Sequence, residues 1–198
     1  MTTVTAHEGV REQRGDSTGK SMPGSLNRDQ LVNVIRELGP TLKARAVDID
    51  RNAVFPFENF ADLRAAGFLG LCVPIRYGGL GASYADYIRV SQEIGRYCGS
   101  TALTFNMHNA TMLWAGEVAD LLEMSLEERE THERRRAEMF RGVVENGEIH
   151  SQPFSEGLSP GALSGVGTKA ERVPGGYRVT GRKIFASLSG AAHRYNVT

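Results

Sequence analysis

The hydrophobic period of this chain changes once, at about Gly142, and that change limits the fold to two differently built parts. Before it, apolar residues recur three and four apart, which gathers them on one face of a helix. Leu31, Val34, Ile35, Leu38, Leu42, Ala46 and Ile49 form the first such stripe. After it, ten of the 49 residues from Gly142 to Gly190 are glycine, and short β-type runs replace the helical period. A chain of 198 residues is long enough to bury a core of its own. The expected class is α+β: an N-terminal all-α helical bundle domain over residues 26–146, then an incomplete antiparallel β domain over residues 147–198.

The helices carry local start and stop signals. Asn27 is placed to cap the first, with Asp29 in its opening turn, and Gly39-Pro40 predicts a kink or break within it. Phe57–Ala66 reads as a second helix, with Phe57, Phe60, Leu63 and Ala66 on one face and Gly67 as its stop. Pro74 forbids a helix in the next stretch, where Gly78-Gly79 with Gly81 suits a tight turn with positive φ. These glycines match neither G-x-G-x-x-G nor P-loop spacing. Ser83 is expected to cap Tyr84–Tyr97. Ser100 is expected to cap a helix through Leu103, Met107, Ala110, Met112, Leu113 and Trp114, buried on most sides. Ser125 and Glu128 make a capping box for a last, charged helix. Five Glu and five Arg lie between Glu127 and Arg141, so Arg134-Arg135-Arg136 reads as a solvated face and not as an anion site.

In the β part, Thr168–Val173 and Tyr177–Lys183 flank Pro174-Gly175-Gly176, a hairpin signal. The sequence stops at Tyr195–Thr198, inside what reads as another strand; a sheet left with a raw edge implies a domain cut short. Residues 1–25 are polar and aperiodic, and the reading there is a flexible tail. Met1–Leu26 has no apolar core of a signal peptide, no apolar run reaches the length of a membrane span, and the expected location is cytoplasmic.

Charge excludes some partners. Lys+Arg and Asp+Glu both number 23, so the chain lacks the basic excess that nucleic-acid binding needs. Cys72 and Cys98 belong to no C-x-x-C pair and read as buried free thiols. The five histidines show no metal-ligand spacing, and His108-Asn109 reads as a hydrogen-bonded core pair.

The order of these parts resembles the acyl-CoA dehydrogenase family. The stretch AAGFLGLCVPIRYGGLGASYADY (Ala65–Tyr87) is similar to the family's signature loop, and GTKAERVPGGYRVTGRKIFASLSG (Gly167–Gly190) to its middle-domain hairpin. The resemblance implies FAD as cofactor, an acyl-CoA substrate, an electron-transfer flavoprotein or other acceptor, and a homo-oligomer or a completing chain. It places a flavin wall on Gln152, Phe154, Ser155, Gly161, Phe185, Ala186 and Ser187. Ser155 falls on the family's threonine that donates toward flavin N1 and O2, where reduction places negative charge. Gly157 replaces a proline there, and Pro160-Gly161-Ala162 replaces Gly-Ser-Asp. Phe185 falls on a tryptophan that packs on the flavin face, and Ser187 on a threonine that donates to N5. A strand would put Phe185 and Ser187 on one face and Ala186 on the other. The alternatives are a serine-capped glycine turn without a ligand and a plain core aromatic. The implied chemistry is α,β-dehydrogenation, with the base in a C-terminal helical domain that this sequence does not contain; no catalytic residue is named, and Glu156 reads as structural. A flavin monooxygenase of the same fold and a non-catalytic helical interaction module stand as alternatives.

Overall fold

The computed structural model describes residues 26–156 and 166–197; the expected tail at 1–25 and Gly161 lie outside the described residues. Helix α1 spans Arg28–Asn52. It opens on a reciprocal cap, Gln30 N–H donating to Asn27 Oδ1 at 3.0 Å and Asn27 N–H to Gln30 Oε1 at 2.8 Å. Leu31, Ile35, Leu42 and Ile49 face the core as the stripe requires. The helix is not broken at Gly39-Pro40. Gly39 is where the Tyr97 ring lies against the backbone, and a Cβ there would clash with three of its carbons. Packing of the next helices against this face outweighs the proline's missing N–H.

Helix α2, Phe57–Ala65, buries Phe60 and Leu63. Phe57, expected inside, is exposed: it stands on the first turn and packs edge-on with Phe55, ring centres 4.8 Å apart. The proline–glycine loop follows as two 3₁₀ turns, Phe68–Gly70 and Ile75–Tyr77. Gly78 and Gly81 hold φ of 85° and 63°, as a positive-φ turn needs, while Gly79 lies so near the Val73 carbonyl that no Cβ fits. Leu80, Gly81 and Ala82 N–H donate back to Gly70, Val73 and Leu71, closing the loop on itself.

Helix α3, Tyr84–Gly95, starts at a Ser83–Asp86 capping box and packs on both α1 and α4. Helix α4, Gly99–Leu113, begins at Cys98 with no side-chain cap, not at Ser100. The buried Cys98 fixes this start, with Thr101 Oγ1 donating to its sulfur at 3.1 Å. Leu103 is exposed, and the inner face consists of Thr101, Phe105, His108, Asn109 and Met112. A five-residue π-turn, Trp114–Val118, extends α4. Helix α5, Leu126–Asn146, opens on the Ser125–Glu128 box and ends at Gly147 with φ of 67°. Its arginine run is not uniformly solvated: Arg136 is buried, because its acidic partners come partly from another segment, which spacing within α5 cannot reveal.

Beyond α5 the strands are short. β1 (His150–Ser151) pairs in parallel with β4 (Arg194–Tyr195), and β2 (Lys169–Val173) pairs antiparallel with β3 (Gly176–Thr180). The antiparallel expectation therefore holds for the hairpin and fails for β1–β4, because the chain leaves β1, turns through the hairpin and re-enters in the original direction. Nearly every residue of the hairpin is exposed, so neither of its faces contributes to the core.

Candidate functional site

His108 sits fully buried on α4 and joins the two parts of the chain. Its Nε2 meets Leu69 O at 2.9 Å, and its Nδ1 accepts from His150 N–H at 3.1 Å. This bonding requires the neutral ring, and burial holds its pKa down at about 3. The next backbone donor, Ile149 N–H, goes to His193 Nδ1 at 3.0 Å. His150 is also buried and held down, to about 4, with burial as the largest cause. Asn109 bonds the same loop, not His108: its Nδ2 donates to Phe68 O and its Oδ1 accepts from Cys72 N–H. Cys72 and Cys98 are buried and free, and burial pushes the Cys72 thiol up, away from the reactive thiolate.

Anchored there, the chain runs from β1 through Gln152–Glu156 beside Lys183–Ser187. Ile184 N–H donates to Ser155 O at 2.8 Å. Lys183 Nζ reaches Phe154 O at 3.3 Å and Glu156 Oε1 at 2.8 Å, and Ser151 Oγ donates to Ser187 O at 2.6 Å. Glu156 also accepts from Gly167 N–H, Thr168 N–H and the Thr168 hydroxyl. The Lys183 ammonium first, then the Thr168 hydroxyl and Gly167 N–H, hold its carboxyl at about 2. A carboxylate so engaged has neither the pKa nor the free lone pairs of a general base.

The fold thus brings together two segments some thirty positions apart. Gln152, Phe154, Ser155, Ala186 and Ser187 are half-buried along this seam. Phe185 departs from the expected strand alternation: the segment is a bend, Phe185 has φ of 55°, and its ring is 84% exposed. With Leu188 also at positive φ and its side chain buried, the backbone turns inward after Phe185 and leaves the phenyl ring outside. Sequence reasoning missed Trp114, whose ring stacks on Phe154 at 5.4 Å and 16° between planes. Its one signal is that it is the only tryptophan in the chain. Among the described residues, no group of three His, Cys, Asp or Glu side chains is placed to hold a metal ion, and no helix is long and apolar enough to cross a membrane.

This helical core with a short β annex is a known arrangement. Residues 29–120 match the family described as acyl-CoA dehydrogenase, N-terminal domain, and the chain resembles that family over this stretch. It is 26% identical to a putative acyl-CoA dehydrogenase of Bacillus subtilis (strain 168) over 174 residues, covering 85% of this chain and 42% of that protein. It is 40% identical to a dibenzothiophene monooxygenase of Rhodococcus erythropolis over 84 residues, 41% of this chain and 20% of that one. Among solved structures, FMN-bound TdsC from Paenibacillus sp. A11-2 superposes with a TM-score of 0.68 at 23% identity, covering 84% of this chain and 38% of that one. At that identity the likeness is one of fold. The chain spans less than half the length of each of these proteins.

Proposed function

We propose that this chain supplies the helical domain and one wall of the flavin site in an FAD-dependent oxidoreductase that carries out α,β-dehydrogenation of acyl-CoA thioesters. The reading rests on one observation above all: the Ser155–Ile184 backbone bond, which makes a single surface of the two segments the family likeness assigns to the flavin. That surface suits a flat aromatic group with a polar edge. It carries Ser155 and Ser187, both half-buried, and Phe185 presents an exposed phenyl ring two residues before Ser187. Bound there, FAD supplies the acceptor for the β hydride. The chain's own residues do the holding: Ser155 and Ser187 donate hydrogen bonds, Phe185 covers apolar ring, and Lys183 and Glu156 fix the backbone between them. Glu156 is not the base, and we assign that role to no residue of this chain. An electron-transfer flavoprotein or a similar acceptor is the proposed oxidant of the reduced cofactor, and further chains complete the site.

A second reading, a flavin monooxygenase of the same fold, is favoured by the 40% identity to dibenzothiophene monooxygenase over 84 residues. One experiment separates the readings. The protein, purified together with the chain that completes the site, is incubated with FAD, freed of excess, and mixed anaerobically with acyl-CoA thioesters of several chain lengths. Retained flavin absorbance that is bleached by an acyl-CoA supports the dehydrogenase. Flavin that is bleached only by an added reductant, and then consumes oxygen with an organic substrate, supports the monooxygenase. A colourless protein overturns both and leaves a helical interaction module.

A further inference from the structure

The π-turn Trp114–Val118 is the place where the helical core reaches the candidate site, and its geometry is unusual. The widened turn sends Ala119 N–H back five residues to Trp114 O, a bond that an α-helix does not make. Such turns are rare and recur at functional sites. The turn packs against the proline loop, with Gly116 facing the Pro74 ring.

Two arginines of α5 hold it: the part-exposed Arg129, which donates to Ala119 O at 3.4 Å, and the buried Arg136. Arg136 is 3% exposed, and its donors converge on this turn and on two acids. One terminal nitrogen donates to Ala115 O and Gly116 O, each at 3.4 Å, and to Asp120 Oδ1 at 2.6 Å. Glu133 takes the remaining donors, and the Tyr77 hydroxyl bonds the same carboxylate. Burial alone favours a neutral guanidinium, but Glu133 and Asp120 outweigh it and raise the Arg136 pKa. The cation is permanent and its geometry is forked, so it fixes the turn in position and in orientation.

Trp114, the first residue of that turn, carries the consequence. Its ring lies nearly parallel on Phe154, one residue before Ser155, and is 48% exposed on its other side. We propose that Arg136 is a positioning residue for the flavin wall: by clamping the π-turn it holds Trp114 on Phe154 and so fixes the Phe154–Glu156 segment. The proposal rests on the flavin-wall reading for its functional meaning, but the clamp itself is testable without flavin. Arg136 touches neither Phe154 nor Ser155, so its effect on them passes through the tryptophan.

The test uses the single tryptophan as reporter in the full chain. Arg136→Met keeps the length of the side chain and removes the fork. It is expected to shift Trp114 emission to the red and increase its quenching by acrylamide, as Phe154→Leu does, with far-UV circular dichroism unchanged. The double variant is expected to add nothing further. The dissociation constant for FAD, read by flavin titration, is expected to rise about tenfold, the scale of a small misplacement of a positioning group. If Arg136→Met fails to fold, Asp120→Asn, which weakens the clamp at a half-exposed position, is expected to give the same emission shift in smaller measure. A folded variant whose Trp114 emission and quenching match the parent protein overturns the proposal. An emission shift in a protein that binds no FAD leaves the clamp standing and removes the flavin reading instead.

Discussion

Lys183 and Glu156, 27 positions apart, form an ion pair at 2.8 Å with both side chains almost withdrawn from solvent. The pair locks the base of the β2–β3 hairpin to the segment that carries Ser155, since the same carboxylate takes the Gly167 and Thr168 N–H groups. Removing one partner strands the other. Lys183→Met is therefore expected to speed hydrogen exchange at Gly167, Thr168 and Ile184, and adding Glu156→Gln to recover part of the loss. The linkage has a sign: a carboxyl held at about 2 against an ordinary 4.5 stabilises above pH 4.5, and that stability drains away as pH falls toward 2. Unchanged exchange in Lys183→Met contradicts the lock.

The histidine junction adds a second acid-sensitive term. His108 at about 3 and His150 at about 4 are both held neutral below the ordinary 6.5. Their contribution is complete above pH 6.5 and is lost as pH falls through the window down to those values. Each histidine steepens the loss by about 1.4 kcal/mol per pH unit within its window. The groups facing them are Leu69 O, His193, Glu148, Arg194 and Asn196. Denaturant melts between pH 7 and 5 are expected to show the slope, and His150→Gln to flatten it. Equal slopes contradict the assignment.

Core and surface aromatics are expected to part company. Phe105 and Phe140 have no exposed surface, so Phe105→Ala and Phe140→Ala should each cost about 3–5 kcal/mol by urea unfolding. Phe57 is 60% exposed, and Phe57→Ser should stay within about 0.5 kcal/mol of the parent.

Among the described residues, nothing buries either face of the β2–β3 hairpin. A two-stranded ribbon without a buried face is marginal in water, so amides across Lys169–Thr180 should exchange far faster than those of Thr101–Leu113. Equal protection would show that another chain or another part of the protein covers the hairpin.

The helical half was legible because its signals are local. Asn27, Ser83 and Ser125 each cap the helix that follows them, and the Leu31–Ile49 stripe is read directly from spacing. What escaped depends on partners distant in sequence. Gly39 reads as a breaker, yet it is the seat of Tyr97; Arg136 reads as surface, yet Asp120 and the π-turn carbonyls draw it inside. At the candidate site, the likeness to known sequences picked out Ser155 and Ser187, and the seam between their segments is present. The strand alternation assumed for Phe185 is not, because a positive φ two residues before Ser187 cannot be read from a phenylalanine. Trp114 was invisible as a neighbour of Phe154, since stacking across 40 positions leaves no periodic trace.

The central claim is that the seam between Phe154–Glu156 and Lys183–Ser187 is a flavin wall, and a structure of the protein crystallised with FAD tests it most directly. The account predicts the isoalloxazine ring lying along that seam, within hydrogen-bond distance of Ser155 at one end and Ser187 at the other, with Phe185 folded against it. A ring bound elsewhere, or seated with those two serines turned away from it, would contradict the account.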